Sequence, residues 1–598
     1  MKQVVQSARS GKLALKEVPD AKVRSGHLLV RTRASLISAG TERMAVNFAK
    51  KSLAAKARAR PDLVRKVFHK AKRDGIGATM RAVMARLDEP LPLGYSAAGE
   101  IVEVGAGLEG KFRACQRVAI AGAGFANHSE MNAVPENLCA LIPDDVNDEE
   151  ACFGTLGAIA MNGVRLVEPQ LGDVVAVIGA GLVGQLAAQF LDLAGCRVVV
   201  LDYNAERLKL ATYAGAELVC NLSQGDPYAS IMDMSGGRGC DGVVIAAATD
   251  SSEPFDTAAN IARDKAKISL VGMVGTEFDY RLFMKKELSV VVSRSYGPGR
   301  YDLDYENRHV KYPVGFVRWT ETRNLEETVR LMSRRRERRL QVEQMITHKI
   351  PFAEVEKAYD MVSNNTEPHL GVVLEYDKTP KQKSPTLRTP VSVATGKSAS
   401  GKCTLGVIGA GNFARTVLLP RLKRIDLIEL HTLVTQRGIS VNHSADTFGF
   451  SHADTDDAAI FENPDINAVL ITTPHSTHAL LTARALAAGK NVMVEKPLAL
   501  DREELNTVIR ARLQSDAFLQ VGFNRRFAPL AVQARDRLAA AGGTKYVLLR
   551  VNAGRLPDDS WQNAAEEGNG RILGEVCHFV DLARFLVGAN ITTVQAAA

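Results

Sequence analysis

A chain of 598 residues has room for several domains, and 46% hydrophobic with 24% charged residues supplies large cores of ordinary globular type. A net charge of +8 at this length suits acidic small molecules such as phosphates but does not argue for nucleic acid. The eight cysteines lie scattered with no Cys-x-x-Cys, which fits a reducing cytoplasm and argues against a disulfide framework, and no apolar run is long enough to cross a bilayer.

In chain order, residues 1 to about 45 alternate like β-structure, most clearly from His27 to Arg33. Residues 46 to 88 are Ala-rich and helix-forming, with Lys50, Lys51, Lys56, Arg58, Arg60, Arg65, Lys66, Lys70, Lys72 and Arg73. They read either as a patch facing an anion or a partner, or as a solvated helical insertion. Glycine-punctuated strands resume from Leu93 to Val104 and from Arg117 to Ile120, and Ala151 to Leu166 reads as a helix.

Next comes the strongest signal in the chain. Val174 to Ile178 is short, apolar and β-branched, as a buried parallel strand should be. Gly179, Gly181 and Gly184 follow as G-x-G-x-x-G, then a helical run, then a second strand closed by Asp202. Gly179 permits the tight turn, Gly181 lets a pyrophosphate approach the backbone, and Gly184 lets helix pack on strand. The helix N-terminus offers free N–H groups and positive dipole charge. Asp202 stands where a carboxylate accepts from both ribose hydroxyls and repels a 2′-phosphate. This predicts an NAD(H) site.

Strands from Gly242 and from Ile268 continue that sheet, Phe352 to Val362 is an amphipathic helix, and Gly371 to Tyr376 is a last strand. Residues 377–402 are rich in Lys, Pro, Ser and Thr and read as a linker. After it the nucleotide pattern returns, with strand residues from Thr404 and with Gly409, Gly411 and Ala414 at the three turn positions. Further strands are expected near 405, 430, 468 and 492.

The order of β-rich segment, nucleotide unit and return strand over residues 1–376 resembles the medium-chain dehydrogenase/reductase family. Gly94 to Gly105 looks like its Gly-His-Glu segment and Ser38-Ala-Gly-Thr-Glu42 like its Cys-Gly-Thr-Asp segment. The alcohol dehydrogenases of that family hold catalytic zinc through residues of these segments and a third near the next helix. Here those positions carry Ala39, Tyr95 and Thr155, with Ser96 beside Tyr95, and the four-cysteine structural zinc lobe is absent. Alanine and a neutral phenol cannot replace thiolate and imidazole, so no zinc is expected. Thr41 occupies the family's proton-relay hydroxyl position. Tyr95 either joins it as a proton donor or fills the void left by the zinc ligand.

From residue 403 onward the chain resembles the Gfo/Idh/MocA dehydrogenases, through Gly409-Ala-Gly411, Ile471-Thr-Thr-Pro-His-Ser-Thr-His478, Val494-Glu-Lys-Pro497 and Gly522-Phe-Asn-Arg-Arg-Phe527. The resemblance implies that Lys496 reaches the reacting hydroxyl and the nicotinamide, with Pro474, His475 and Glu495 lining the cofactor. It also implies His578 as a catalytic partner. The family's Asp, four residues before that His, is Gly574 here, and Glu575, three residues before His578, is the candidate substitute. The acid that should end the second strand is missing. Thr435 and Arg437 stand there, either to favour NADP(H) through its 2′-phosphate or merely solvated.

These readings predict an α/β protein with a GroES-like β-rich domain, two Rossmann domains and a partial α+β domain. Residues 1–165 with 300–376 form the GroES-like catalytic domain and 166–299 a Rossmann domain. The linker 377–402 leads to a second Rossmann domain at 403–525. Residues 526–598 begin a substrate domain too short for its sheet, so the sequence reads as a fragment or as completed by a partner. The resemblance implies a cytoplasmic NAD(P)-dependent oxidoreductase acting on a sugar or nucleotide-sugar, in the manner of bacterial bi-domain oxidoreductases of envelope or exopolysaccharide synthesis. A homo-oligomer is compatible with this; nucleic-acid and membrane partners are not expected. The rival functions are a cofactor-binding scaffold or sensor with a silent first half, or a quinone-type reductase.

Overall fold

The computed structural model describes residues 1–308, 310–377, 391–392, 402–554, 561–563, 567–568 and 570–597. The chain divides into two compact units, residues 1–68 with 87–387 and residues 69–86 with 388–598.

The first unit opens with the small antiparallel sheet of Leu13–Glu17, Lys2–Ser7 and Pro90–Pro92. Beside it runs a seven-stranded sheet built on the eleven-residue strand His27–Ile37, which pairs antiparallel with Ser96–Val104, Met131–Pro135 and Gly371–Glu375. The last pairing closes the unit, because Val372 faces Ile37 across 335 positions of sequence and brings the chain back to where it began. Four helices, Thr41–Lys50, Leu53–Ala59, Pro61–Asp74 and Ile76–Asp88, occupy the Ala-rich stretch, of which residues 69–86 count with the second unit. The predicted helical character is therefore correct, with a start five residues earlier than the composition change. Lys56 is not a surface cation of that stretch: its ammonium is buried and donates to the Ala8 carbonyl at 2.8 Å.

The six-stranded sheet of this unit is wholly parallel, in the order Leu218–Asn221, Arg197–Asp202, Val174–Ile178, Cys240–Ile245, Ala262–Leu270, Ser289–Val292. Both faces are covered, as an apolar run without polar alternation requires. Val175 and Val177 pack with Leu186 and Leu191 on one side, and Val174, Ala176 and Ile178 with Phe255, Ala258 and Ile261 on the other. All five strand residues are 3% exposed or less. The strand order reverses between Val174–Ile178 and Cys240–Ile245, which opens a crevice at the carboxyl ends of these two strands.

The second unit repeats the plan with seven strands, in the order Val391–Ser392, His452–Asp454, Ile428–Val434, Cys403–Ile408, Ala468–Ile471, Asn491–Val494, Leu519–Val521. All pairings are parallel except the first, which takes two residues of the predicted linker into the sheet. The rest of that linker, 378–390 and 393–401, lies outside the described residues. Beyond Phe527 the described residues form the helices Pro529–Ala540 and Cys577–Val587 and an extended run from 544 to 553 that has no ladder partner. From 544 to 550 the side chains of that run alternate between exposed and half-buried, with Tyr546 and Leu548 outward.

No described helix is long and apolar enough to cross a membrane. All eight cysteines are unpaired.

Candidate active sites, one in each unit

In the first unit the glycine turn sits at the reversal point of the sheet. Gly179 has φ +100, and a Cβ there would meet the Ala247 amide at 2.8 Å. Gly184 lies so close to the strand that a Cβ would stand 1.8 Å from the Gly179 carbonyl oxygen. Gly181 is different. It opens the helix Leu182–Leu193, and a Cβ on it would meet nothing within 4 Å, so its exposed backbone faces free space where a pyrophosphate fits. Asp202 ends the neighbouring strand, with one carboxylate oxygen accepting from the Ala180 amide at 2.6 Å and the other from Asn204 at 2.7 Å. The turn and the acid are thus locked together, each oxygen keeping a lone pair for a ribose hydroxyl.

Of the three positions that bind zinc in alcohol dehydrogenases, 95 and 155 are in contact, and Ser38 and Thr41, near Ala39 in sequence, act on the Tyr95 phenol. The Thr155 hydroxyl, fully buried, donates to the Tyr95 carbonyl at 3.2 Å, and the Ser96 hydroxyl to the Cys152 carbonyl at 2.6 Å. Their side chains do not fit the metal. Ala39 has no donor, and Thr155 spends its hydroxyl on the backbone. The half-buried Tyr95 phenol is pushed up to about 12, chiefly by desolvation, with Ser38 and Thr41 hydroxyls pulling the other way. Among the described residues no group of three His, Cys, Asp or Glu is placed to hold a metal ion.

Beneath Tyr95 and Thr41 runs a buried polar chain that no sequence motif announced. Glu42 accepts from the Ser38 amide at 3.0 Å, from His128 Nε2 at 3.2 Å and from the Tyr359 hydroxyl. His128 Nδ1 meets the Ser35 hydroxyl at 2.7 Å, and Ser35 meets the Tyr376 hydroxyl at 2.9 Å. With Nε2 donating to the Glu42 carboxyl, the His128 Nδ1 is left to accept from the Ser35 hydroxyl. Burial and the Glu42 charge hold Tyr359 well above the usual phenol range, so it stays a donor. The members come from 35, 42, 128, 359 and 376, which is why sequence spacing could not reveal them.

In the second unit, Gly409 has φ +97, with the Thr472 carbonyl 2.7 Å from where a Cβ would stand, and Gly411 again faces open space. Ala414 is 1% exposed and begins a π-type turn, Ala414–Leu418, that runs into the helix Leu419–Leu422. Thr435 and Arg437 follow the strand Ile428–Val434. The Thr435 hydroxyl donates to the Arg437 carbonyl at 3.1 Å, and the Arg437 side chain is exposed.

Lys496 and His578 are brought together. The Lys496 ammonium donates to the Gly574 carbonyl at 2.6 Å, one turn before His578. His578 is 7% exposed, its Nδ1 has no partner, and its ring lies edge-on to Phe523. Burial, then the positive charges of Lys496 and Arg525, pull it down to about 4. It is a neutral base at physiological pH. Glu575, together with Asp581, acts on it through charge, but the Glu575 carboxylate is held elsewhere. The segment Ile572–Val576 is a π-type turn rather than an α-helix, so the three-residue spacing does not stack the two side chains, and Glu575 pairs with Arg571 at 2.9 Å. A further acid, Glu567, 8% exposed, lies on the His475 side, where it accepts from the Ser476 hydroxyl at 2.8 Å and the Ser476 amide at 3.2 Å. Its carbonyl lies 3.1 Å from His475 Nδ1, and a side chain at Gly574 would also point at His475. Pro474 precedes His475 at the end of the strand Ala468–Ile471, and Glu495, pushed up by burial, lies beside Gly522.

Comparisons with known proteins place both halves. Residues 183–307 match the model of the zinc-binding dehydrogenases, and residues 403–523 that of an oxidoreductase family with an NAD-binding Rossmann fold, the Gfo/Idh/MocA proteins. A scyllo-inositol 2-dehydrogenase (NAD⁺) of Bacillus subtilis is 35% identical over 138 residues, covering 23% of this chain and 40% of that protein. A myo-inositol 2-dehydrogenase of Thermotoga maritima is 28% identical over 192 residues, covering 32% and 57%. A D-xylulose reductase of Scheffersomyces stipitis is 23% identical over 329 residues, 46% of this chain and 80% of the relative. An alcohol dehydrogenase of a Thermus species superposes with TM-score 0.47 at 19% identity, over 63% of this chain and 100% of that one. The chain spans about half the length of the inositol dehydrogenases it matches. Residues 183–307 and 403–523 thus match two oxidoreductase families in tandem, the zinc-binding dehydrogenases and then the Gfo/Idh/MocA proteins.

Proposed function

We propose that the chain is an NAD(P)-dependent oxidoreductase that moves a hydride to or from a sugar or nucleotide-sugar hydroxyl carbon, with its chemistry centred on the second unit. The observation that carries this is Lys496 beside a buried, neutral His578 next to a glycine turn. The names of the relatives, inositol dehydrogenases and a xylulose reductase, support a polyol or sugar substrate. Bound nicotinamide supplies the hydride acceptor or donor. Lys496 fixes the reacting oxygen and His578 takes or returns its proton; a base already neutral at pH 7 is poised for this. Glu567 orients Ser476 and the His475 loop and is a positioning residue. Thr435 and Arg437 favour NADP(H) here, and Asp202 favours NAD(H) in the first unit.

The first unit works without zinc, either through the Tyr95 and Thr41 hydroxyls or as a cofactor-binding scaffold. The half-buried Tyr95 phenol, raised chiefly by desolvation, favours a proton donor over a metal ligand. Roles in the cytoplasm, in envelope or exopolysaccharide synthesis, and as a homo-oligomer belong to the same reading.

Turnover of a sugar-nucleotide and polyol panel by Lys496→Ala is the test. A fall of at least about a hundredfold with cofactor binding retained is expected; unchanged turnover would sink the assignment. Zinc analysis of the purified chain tests the first unit, where one zinc per chain would overturn the zinc-free reading.

A further inference from the structure

The strand Ser289–Val292 of the parallel sheet is followed in sequence by the short helix Leu303–Arg308, then by Trp319 and the helix Glu321–Leu331, capped by Thr320. Three guanidinium groups gather on the Trp319 indole. Arg165, from the last turn of the helix Gly154–Leu166, lies 3.3 Å from the ring centroid, and Arg323 and Arg318 lie at 4.8 and 4.9 Å. An indole attracts one cation, but three around one ring repel each other.

Their counter-charge is incomplete: the Glu327 charge favours the Arg165 guanidinium, but neither it nor Glu326 pairs with the cluster. Among the described residues none of the three arginines forms an ion pair. Glu327, the nearest acid to Arg165, is held by Arg330 through two hydrogen bonds of 2.6 and 2.7 Å. Glu326, which faces Arg323, is pushed up by burial, so its anionic form is disfavoured. Arg165 Nε has no hydrogen-bond partner, and its Nη2 rests on the Met161 sulfur at 3.0 Å. Burial and the two neighbouring arginines pull Arg165 down to about 10. Arg323 bonds the Arg318 carbonyl, which holds the loop over the ring.

We infer that Arg165, Arg318 and Arg323, assembled on Trp319, form a subsite for a phosphoryl group. A tetrahedral oxyanion accepts from three directions, whereas a planar carboxylate is satisfied by one fork, and forked guanidinium donors match the former here. Two sources share this chemistry. One is a soluble sugar phosphate or nucleotide-sugar, which rests on the proposed sugar oxidoreductase reading. The other is an anionic lipid headgroup, suggested by the adjoining loop, where Phe316 is 91% and Val314 65% exposed.

Trp319 and Trp561 are the only tryptophans, so the full chain with Trp561→Phe carries a single reporter at the site. With NAD⁺ present to fill the glycine turns, inorganic pyrophosphate and, separately, phosphatidylglycerol vesicles are titrated while Trp319 emission is recorded. A saturable change with pyrophosphate is expected, weakened about tenfold or more by Arg318→Ala, as the loss of one charge-assisted hydrogen bond predicts. Arg318 is exposed, so this variant retains its fold; Arg165→Gln is the second variant and weakens binding further. A response to vesicles alone, lost in the same variants, supports the subsite and assigns it to a lipid headgroup. No response to either probe, or binding unchanged in both variants, overturns it. The readout needs no turnover, so its failure leaves the Lys496 reading standing and the reverse also holds.

Discussion

The two nucleotide turns of this chain solve one problem with different residues. In the first unit the third position must be glycine, because a methyl on residue 184 would stand 1.8 Å from the Gly179 carbonyl. In the second unit a buried Ala414 holds that place, and the following backbone widens into a π-type turn. The acid at the second strand differs in step: Asp202 in the first turn, Thr435 and Arg437 in the second. The comparison teaches that the open glycine, 181 or 411, is what a pyrophosphate needs, whereas the third position answers only to local packing.

The largest effect expected is at Gly184. Gly184→Ala should displace helix from strand, cost about 1–3 kcal/mol as an overpacked site does, and abolish NADH binding to the first unit. Calorimetric titration of the full chain checks it, and a Gly184→Ala chain with two intact cofactor sites would falsify the packing argument. The converse change, Ala414→Gly, should leave the second site bound and its melting temperature within a degree or two.

Next in size is cofactor choice. Asp202→Ala should weaken NADH at the first unit about tenfold, through loss of charge-assisted hydrogen bonds, while Arg437→Ala should lower NADPH affinity at the second by a similar factor and spare NADH. If NADPH binding survives Arg437→Ala unchanged, the guanidinium is solvated and the second site owes its preference to something else.

The smaller test is of pH. His578 titrates at about 4 in the folded chain and near 6.5 when unfolded. Between these values the unfolded state binds more protons, so stability falls as pH drops from 6.5 towards 4. His578→Gln should flatten that part of the curve, measured by denaturant unfolding at several pH values. A slope identical to the parent's would show that the ring is not held neutral by burial and Lys496.

Much of this was legible from local pattern. Strand, glycine turn, helix and acid are contiguous, so Val174–Ile178, Gly181 and Asp202 were readable, as were Lys496 and His578 once the motifs around them were set in order. Side-chain direction was not readable. Glu575 was expected on the His578 face because an α-helix stacks residues three apart, but the chain takes a π-type turn there and sends Glu575 to Arg571. Glu567 went unnoticed because its partner Ser476 lies 91 positions away. The run from 544 to 550 alternates like a strand yet has no ladder among the described residues, since a strand exists only where another backbone offers its hydrogen bonds.

By itself, then, the sequence determined the two parallel-sheet units, their glycine turns and the absence of thiolate and imidazole at positions 39, 95 and 155, all properties of residue type and near-neighbour spacing. Only the tertiary structure decided that Glu42, His128, Tyr359, Ser35 and Tyr376 share one buried chain, that Lys496 meets Gly574 and His578, and that three arginines crowd Trp319. Apart from Arg318 and Arg323, which neighbour Trp319 in sequence, those pairings join residues tens to hundreds of positions apart, and what selects them is burial, which forces distant polar groups to find one another or stay unsatisfied.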